Sequence, residues 1–213
     1  MRDKRIRVLL VDDHAIVRTG VRLMLSSEDD LCVEGEAGTA DEALQLVSKQ
    51  DFDVALVDIA MPGRNGLDLL RLLRNEKPRL AILMLSTYAE DIYAVRALKL
   101  GAAGYIAKDS SSSTLVNAVR KVAAGGKYVS PALVEKLATI VGGDSVSSHE
   151  ALSNRELEVL KLIAAGESLV NIATKLHLSP HTVTTYRTRI LRKMGLTSNA
   201  EMTRFAIENG LIA

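Results

Sequence analysis

The fold of this chain is decided by the stretch FDVALVDIAMPG, residues 52–63. Its centre, residues 54–57, is an apolar run rich in β-branched side chains that is too short for a helix, and Pro62-Gly63 ends it. We predict a buried strand with Asp58 at its carboxyl end. Ligands bind at that edge of a parallel sheet, so Asp58 is a ligand-binding group or a nucleophile, unless it only caps a loop.

Short apolar segments of the same kind recur on both sides and alternate with segments of helical spacing. The predicted strands cover residues 6–11, 31–36, 54–57, 80–85 and 104–107, and the predicted helices about 16–25, 41–47, 67–77, 91–100 and 114–124. Five strands alternating with five helices predict an α/β domain with a five-stranded, parallel, doubly wound sheet of the flavodoxin-like type. All of these strands except the second are nearly uniformly apolar, which agrees with helices on both faces of that sheet.

Composition places the chain among ordinary globular proteins, with 47% hydrophobic and 25% charged residues. Its 213 residues suffice for one large or two small domains. No apolar run approaches a membrane span, the amino terminus lacks a signal-peptide pattern, and the single Cys32 cannot form an internal disulfide. We therefore expect a cytoplasmic protein without a membrane partner.

The remainder of the chain is helical. A helix is predicted over residues 131–141, and the polar, glycine-containing residues 142–149 predict a flexible linker. Beyond it, helical patterns cover about residues 154–165, 168–176, 180–194 and 199–209, and Ser153 and Glu156 have the spacing of a capping box. The predicted divisions are residues 1–125, residues 126–151 for a helix and linker, and residues 152–213 for an all-α, four-helix domain.

Four of the predicted strands end in side chains that suit phosphate chemistry. Since parallel strands bring their carboxyl ends to one edge of a sheet, we expect these side chains to converge there. They are Asp12 and Asp13 after the first strand, Asp58 after the third, Ser86-Thr87 after the fourth and Lys108 after the fifth.

Three crowded carboxylates repel one another and favour a divalent cation. Hard oxygen ligands suit Mg²⁺, and zinc is disfavoured because the chain has no Cys/His cluster. A cation over Asp58 would neutralise an incoming phosphoryl group, while Lys108 and a hydroxyl could hold its other oxygens. Asp58 would be the nucleophile, since carboxylates can carry acyl phosphates.

Residues 5–125 resemble the receiver domain of bacterial two-component response regulators. The resemblance rests on Asp12-Asp13, Asp58 with Met61-Pro62-Gly63, Ser86, Tyr105 and Lys108, in this order. It implies that Asp12, Asp13 and the Ala60 backbone carbonyl bind Mg²⁺ beside Asp58, which accepts the phosphoryl group. It further implies that Ser86 binds that group, that Lys108 ion-pairs with it, and that Tyr105 moves inward as the hydroxyl closes on it.

Three neighbouring residues compete for roles at this edge. Asp53 is acidic but precedes its strand, so it is expected at the opposite edge of the sheet. Thr87 could supply the hydroxyl instead of Ser86, although alternation places the two on opposite faces and the family pattern favours Ser86. His14 is expected to cap the first helix rather than to bind a metal.

The carboxyl-terminal helices predict a helix-turn-helix motif. A tight turn at His177-Leu178 separates two short helices, and the second begins with Ser179 as its N-cap and Pro180 at its first position. Residues 151–213 hold 8 basic and 5 acidic side chains, and the second helix holds basic side chains and no acid. This pattern favours binding of double-stranded DNA over a merely solvated basic face.

Residues 152–213 are also similar to the LuxR-type DNA-binding domain of the NarL/FixJ class. The matching residues are Leu152-Ser153, Arg155-Glu156, Leu160, Gly166, Ile172-Ala173, Leu178-Ser179, Thr182-Val183 and Lys193-Met194-Gly195.

The chain departs from that pattern at several positions. Thr184 and Tyr186 stand where the family often has lysine and histidine, Leu169 replaces a frequent asparagine, and Thr188 falls where a basic residue can occur. The pair Tyr186-Arg187 resembles the subgroup around the regulators GacA and UvrY. We therefore expect the fold and DNA binding to persist, but not the inherited base preferences.

The expected DNA contacts all lie on the second helix of this motif. Thr184, Thr185 and Thr188 would face the major groove, with methyl or hydroxyl contacts to bases. The basic residues would touch phosphates or fix the docking. The candidate residues are Thr182, Thr184, Thr185, Tyr186, Arg187, Thr188, Arg189, Arg192 and Lys193.

Together with these patterns, the two resemblances imply a transcription regulator rather than an enzyme. A partner histidine kinase would phosphorylate Asp58, and the change would control binding to a DNA operator, with a homodimer on paired half-sites. One alternative is a small phosphotransferase or phosphatase with an aspartyl nucleophile and a helical lid. Another is a receiver whose helical domain has lost DNA binding and acts through protein contacts.

Overall fold

The computed structural model of the chain describes residues 5–86, 90–131, 133–135, 137 and 151–212. It divides into two compact units, Met1–Ala138 and Thr139–Ala213. Residues 131, 133–135 and 137 are helical, whereas the rest of the predicted helix and the predicted linker 142–149 lie outside the described residues. The assignment of residues 126–151 to a helix and linker therefore stays a prediction.

The first unit contains a five-stranded parallel sheet, which confirms the predicted fold class. Its strands are β1 (Ile6–Val11), β2 (Leu31–Ala37), β3 (Val54–Asp58), β4 (Ala81–Ser86) and β5 (Gly104–Ala107), in the order β2-β1-β3-β4-β5. Every adjacent pair is parallel, so the carboxyl ends of all five strands lie at one edge.

Five helices connect or follow these strands. They are α1 (Ala15–Ser26), α2 (Ala40–Lys49), α3 (Gly66–Glu76), α4 (Glu90–Lys99) and α5 (Ser112–Ala123). Side-chain oxygens of Thr39, Asn65 and Ser111 accept a hydrogen bond from the first turn of α2, α3 and α5, which satisfies an otherwise unpaired N–H at each start. The core on one face of the sheet joins β1, β3 and β4 to α5.

Gly66 lets α3 begin directly against the end of β3. A Cβ on this residue would lie 1.9 Å from the backbone oxygen of Asp58 and 2.9 Å from the Cα of Ile59. The Gly66 N–H donates a hydrogen bond to the Ile59 carbonyl at 3.0 Å. The position therefore requires a residue without a side chain. The start of α3 packs directly against the end of β3 there.

The apolar face of α1 is less buried than its helical spacing predicts. In that helix only Leu25 is fully buried, whereas Ile16 is 87% exposed and Met24 40%. A cavity of about 190 Å³ lies beside this face and is lined by Val17, Val21, Met24 and Lys108 among others. The predicted stripe is thus only partly a packing surface.

The second unit has four helices in its described part. They are α6 (Asn154–Ala164), α7 (Leu169–Lys175), α8 (Pro180–Met194) and α9 (Asn199–Glu208). The predicted capping box is present, with Ser153 and Glu156 bonded in both directions. Between α7 and α8, His177 adopts a left-handed backbone with φ 52°, which gives the tight turn. Within the described ranges, no helix has the length and apolar character that crossing a bilayer requires.

Candidate functional site

The predicted acids and amine meet at the carboxyl edge of the sheet. Asp12 directly follows β1 and is 2% exposed, and Asp58 ends β3 and is 1% exposed. The Nζ of Lys108, which follows β5, lies 2.6 Å from Asp12 Oδ2 and 2.9 Å from Asp58 Oδ2. One ammonium thus bridges two buried carboxylates from different strands.

Burial and charge act in opposite directions on these groups. Burial raises the pKa of the Asp58 carboxyl above its ordinary value, and the contact with Lys108 offsets only part of that rise. Burial lowers the pKa of the Lys108 ammonium, but its contacts with Asp12 and Asp58 outweigh burial and raise that pKa above the ordinary value. Lys108 therefore stays charged at neutral pH and stabilises the carboxylate form of its partners.

The donor set fits a hard divalent cation. Asp12 Oδ2 and Asp58 Oδ2 are buried and face the Lys108 ammonium, and the buried Asp13 Oδ1 faces the His14 ring. Ligand atoms of these three acids and of His14 lie within 4.8 Å of one another, close to the separation of about 4.2 Å between opposite ligands of octahedral Mg²⁺. Asp12, Asp13 and Asp58 could therefore share one ion.

The hydroxyl and the aromatic residue expected from the family pattern lie on the neighbouring strands. Ser86 ends β4 and is fully buried, and its carbonyl accepts a hydrogen bond from the Lys108 N–H at 2.8 Å. Tyr105 on β5 is also fully buried, so its ring is already inside the fold. The competing Thr87 lies outside the described residues.

His14 contacts the acidic pair, which the sequence reasoning did not anticipate. It occupies the N-cap position of α1, as expected, although its side chain makes no capping hydrogen bond. Instead its Nδ1 lies 2.9 Å from Asp13 Oδ1 and 3.3 Å from Asp12 Oδ1. In the sequence, the position of His14 directly after Asp12-Asp13 is the feature that could have predicted this contact.

Asp53 lies away from this site. Its carboxylate accepts hydrogen bonds from the Arg7 N–H at 2.8 Å and from the Arg7 Nε at 3.2 Å, at the start of β1 and β3. This contact places Asp53 at the amino edge of the sheet, as its position before β3 predicts.

In the second unit, α8 presents one face to the core and another to solvent. Val183 and Ile190 are buried, whereas Thr184, Thr188, Arg189 and Arg192 are exposed. The remaining DNA candidates on the helix are Thr182, Thr185, Tyr186 and Arg187, which are half-buried, and Lys193, which is exposed.

Two of the basic candidates have partners within this unit. The Arg187 Nε donates a hydrogen bond to Asn199 Oδ1 at 2.7 Å, which ties α8 to α9. The Lys193 Nζ lies 2.7 Å from Glu156 Oε2, and Glu156 is only 3% exposed. Both side chains therefore orient α8 within the unit, a role that the sequence analysis did not predict.

The Glu156 contacts make a pH-dependent contribution to stability. Burial alone would raise its pKa, but hydrogen bonds from Lys193 and Ser153 hold the pKa of this carboxyl below its ordinary value. A depressed folded-state pKa stabilises the fold above the ordinary glutamate pKa, and this contribution is lost as pH falls through the folded-state value.

We therefore expect Glu156→Gln to lower the opening free energy of α6 and α8 at neutral pH by about 1 kcal/mol or less, since Lys193 is partly exposed. The difference from the wild-type chain should shrink in acid. Hydrogen exchange of the α6 and α8 amides across a pH series measures it. A difference that is independent of pH would contradict the assignment.

Family models match both units. The model described as "Response regulator receiver domain" matches residues 8–120, and that of "Bacterial regulatory proteins, luxR family" matches residues 150–206. The first match includes the whole acidic site, and the second includes all of α8.

Relatives and solved structures extend the match over nearly the full chain. "Response regulator GacA" of Pseudomonas aeruginosa is 37% identical over 97% of this chain and 98% of its own length. "Response regulator UvrY" of Escherichia coli K12 is 34% identical over 97% of this chain and 95% of its own length. The structure of the "two-component response regulator RcsB-DNA complex" is similar with a TM-score of 0.60, 25% identity, and coverage of 94% of this chain and 97% of that one.

Proposed function

Since this chain belongs to the response regulators that join a receiver domain to a LuxR-type DNA-binding domain, we propose that phosphorylation of Asp58 controls its binding to DNA. The chain as a whole is a regulator of the GacA and UvrY kind rather than an enzyme of metabolism. Its own chemistry is confined to transfer of a phosphoryl group onto Asp58 and its later hydrolysis. We infer a cytoplasmic location from the need to reach DNA.

The observation that carries this proposal is the bridge from Lys108 to Asp12 and Asp58. The Lys108 ammonium lies 2.9 Å from the buried Asp58 carboxylate. It can therefore stabilise the additional negative charge that a phosphoryl group would bring to Asp58. An Asp58 oxygen attacks the phosphorus of a phosphodonor, the bond from phosphorus to the donor breaks, and the donor leaves with the electron pair. Lys108 then stays beside the new acyl phosphate and pairs with its oxygens.

The acidic site would hold Mg²⁺ through Asp12, Asp13, Asp58 and the Ala60 backbone carbonyl. When bound, the ion would neutralise charge on the transferred phosphoryl group. The Ala60 backbone, near the Asp58 carboxylate, lowers the pKa of that carboxyl slightly against the effect of burial. Ser86, at the end of the adjacent β4, would bind the phosphoryl oxygens, and Tyr105 would respond to that contact.

Removal of divalent metal tests this assignment. We expect the full chain to incorporate phosphate from acetyl phosphate in the presence of Mg²⁺, and to lose at least 90% of that incorporation, roughly tenfold or more, when EDTA replaces Mg²⁺. Phosphate-affinity electrophoresis measures the modified fraction. The same fraction modified with and without Mg²⁺ would contradict the metal assignment, while no modification under either condition would contradict the acceptor.

The partner that delivers the phosphoryl group is proposed to be a histidine kinase. Ile16, in the first turn of α1 after the acidic pair, is 87% exposed, and the cavity lined by Val17, Val21 and Met24 reaches Lys108. Exposed apolar side chains next to a reactive group suit a protein donor that must be positioned over it.

Replacement of Ile16 by aspartate is expected to slow phosphotransfer from such a kinase by roughly tenfold, which corresponds to about 1.4 kcal/mol of lost contact. Phosphorylation by acetyl phosphate should not change, because the small donor needs no α1 contact. Leu72→Asp on α3, an exposed apolar position away from α1, is the matched control. Equal slowing by both variants would rule out this surface.

DNA recognition is proposed to use α8 in the major groove, with the candidate residues Thr182 to Lys193 on or beside that helix. The solved RcsB structure includes DNA, which supports the same use here. A single small basic unit binds weakly at physiological salt, so we infer a phosphorylation-favoured homodimer on paired half-sites.

A further inference from the structure

Three threonines occupy the solvent-facing side of α8. Thr184 and Thr188 are exposed and Thr185 is half-buried, whereas Val183 and Ile190 face the core of the unit. Positions 184 and 188 are one helical turn apart, so they share a face. Residues at this place on a recognition helix are the ones that meet base edges in the major groove.

The hydroxyl donors of all three threonines are engaged within the helix. Thr184 Oγ1 donates to the Pro180 carbonyl at 3.0 Å, and Thr185 Oγ1 donates to the His181 carbonyl at 3.0 Å. Thr188 Oγ1 donates to the Thr184 carbonyl at 3.1 Å. A threonine has one hydroxyl hydrogen, so none of the three has a donor left for a base without giving up its bond to the helix.

The hydroxyl oxygens can still accept a hydrogen bond, and the methyl groups are the apolar feature that these threonines offer to a base. In the major groove, only thymine among the four bases carries a methyl group, and threonine methyls make apolar contact with it. Two basic side chains of α8 are partly engaged within the unit, because the Arg187 Nε donates to Asn199 and the Lys193 Nζ to Glu156. Arg189 and Arg192 remain exposed for phosphates.

We propose that Thr184 and Thr188 read thymine 5-methyl groups, so that the chain selects operators with thymines at the positions under α8. The proposal rests on the DNA binding proposed above and names its specificity. It requires no hydrogen bond from the threonine hydroxyls to bases. It also accounts for threonines at positions where a basic or amide side chain would instead specify guanine or adenine.

Replacement of thymine by uracil isolates the methyl group. A bound sequence is first selected with the phosphorylated full-length chain, and each thymine of a half-site is then replaced in turn by uracil, which removes one methyl and keeps every hydrogen-bonding group. We expect affinity to fall about fourfold at the thymines under α8, the equivalent of one buried methyl group, and to stay unchanged at the others.

Two matched double variants test the protein side. Thr184→Val with Thr188→Val keeps the methyl groups and removes the hydroxyls, and should retain affinity within about twofold. Thr184→Ser with Thr188→Ser keeps the hydroxyls and removes the methyls, and should lose roughly tenfold in affinity while becoming insensitive to uracil. Circular dichroism confirms that both variants remain helical.

Each outcome decides the proposal. If the selected DNA tolerates uracil at every position, or if the serine variant binds as the wild-type chain does while the valine variant does not, methyl recognition is overturned and DNA binding stands. If the phosphorylated chain enriches no sequence at all, the proposed DNA-binding function fails, and methyl recognition fails with it.

Discussion

Replacement of Asp58 by asparagine is expected to abolish phosphoryl incorporation from acetyl phosphate. An amide is not a nucleophile. Among the described residues, the other carboxylate in contact with Lys108 is Asp12, whose Oδ2 lies 2.6 Å from the Lys108 Nζ. Mass spectrometry of the intact chain after incubation with acetyl phosphate and Mg²⁺ measures the result. The fold should be retained, since asparagine has nearly the same shape as aspartate.

Asp53→Asn is the matched control for that experiment. This aspartate belongs to the same stretch of sequence and its carboxylate also faces a cation, but Arg7 holds it at the amino edge of the sheet. Its replacement should leave incorporation unchanged, because the asparagine carbonyl can still accept from the Arg7 N–H. Full incorporation into Asp58→Asn, or loss of incorporation in Asp53→Asn alone, would contradict the assignment of the acceptor.

Gly66→Ala is expected to destabilise the first unit by about 3 kcal/mol, near the upper end of overpacking effects. The added Cβ would lie 1.9 Å from the Asp58 carbonyl oxygen, which is backbone and cannot move aside as a flexible side chain does. Relief of the clash must displace either the start of α3 or the end of β3. Because Asp58 ends β3, this displacement should reduce phosphorylation of Asp58 as well as the stability of the unit.

Gly20→Ala, which also replaces glycine by alanine, is expected to stabilise the first unit rather than to destabilise it. A Cβ at Gly20 would meet nothing within 4 Å, and the residue lies inside α1. Alanine is favoured over glycine in a helix by about 0.5–1 kcal/mol, so stability should rise by that amount. Hydrogen exchange of the sheet amides measures both variants. A Gly66→Ala chain as stable as the wild type would show that the end of β3 is not held as described.

The sheet and its acidic edge could be predicted because they depend on local patterns. Short apolar runs bounded by turn residues identified the strands, and parallel order follows from the alternation with helices. Once the strands were placed, the residues after Val11, Val57 and Ala107 had to meet at one edge. The observed contacts of Lys108 with Asp12 and Asp58 agree with that convergence.

Tertiary partners could not be predicted in the same way. Helical spacing on α1 indicates an apolar face, but it does not tell whether the fold covers that face, and Ile16 is in fact exposed. From the sequence, a basic residue on α8 is predicted to contact phosphate. Lys193 instead pairs with Glu156, 37 residues away along the chain, and local patterns do not reveal such a pairing. The use of threonine hydroxyls within the helix likewise depends on side-chain rotamers, which the residue type leaves open.

The central claim is that charge added at Asp58 changes how tightly the second unit binds DNA. It is tested most directly by the affinity of the full-length chain for its selected sequence, measured with and without acetyl phosphate at one fixed salt concentration, in the wild type and in Asp58→Asn. We expect affinity of the wild-type chain to rise roughly tenfold on phosphorylation, within the usual range of coupling between two sites, and that of Asp58→Asn not to change. An equal affinity of the phosphorylated and unphosphorylated wild-type chain, or an equal rise in Asp58→Asn, would contradict it.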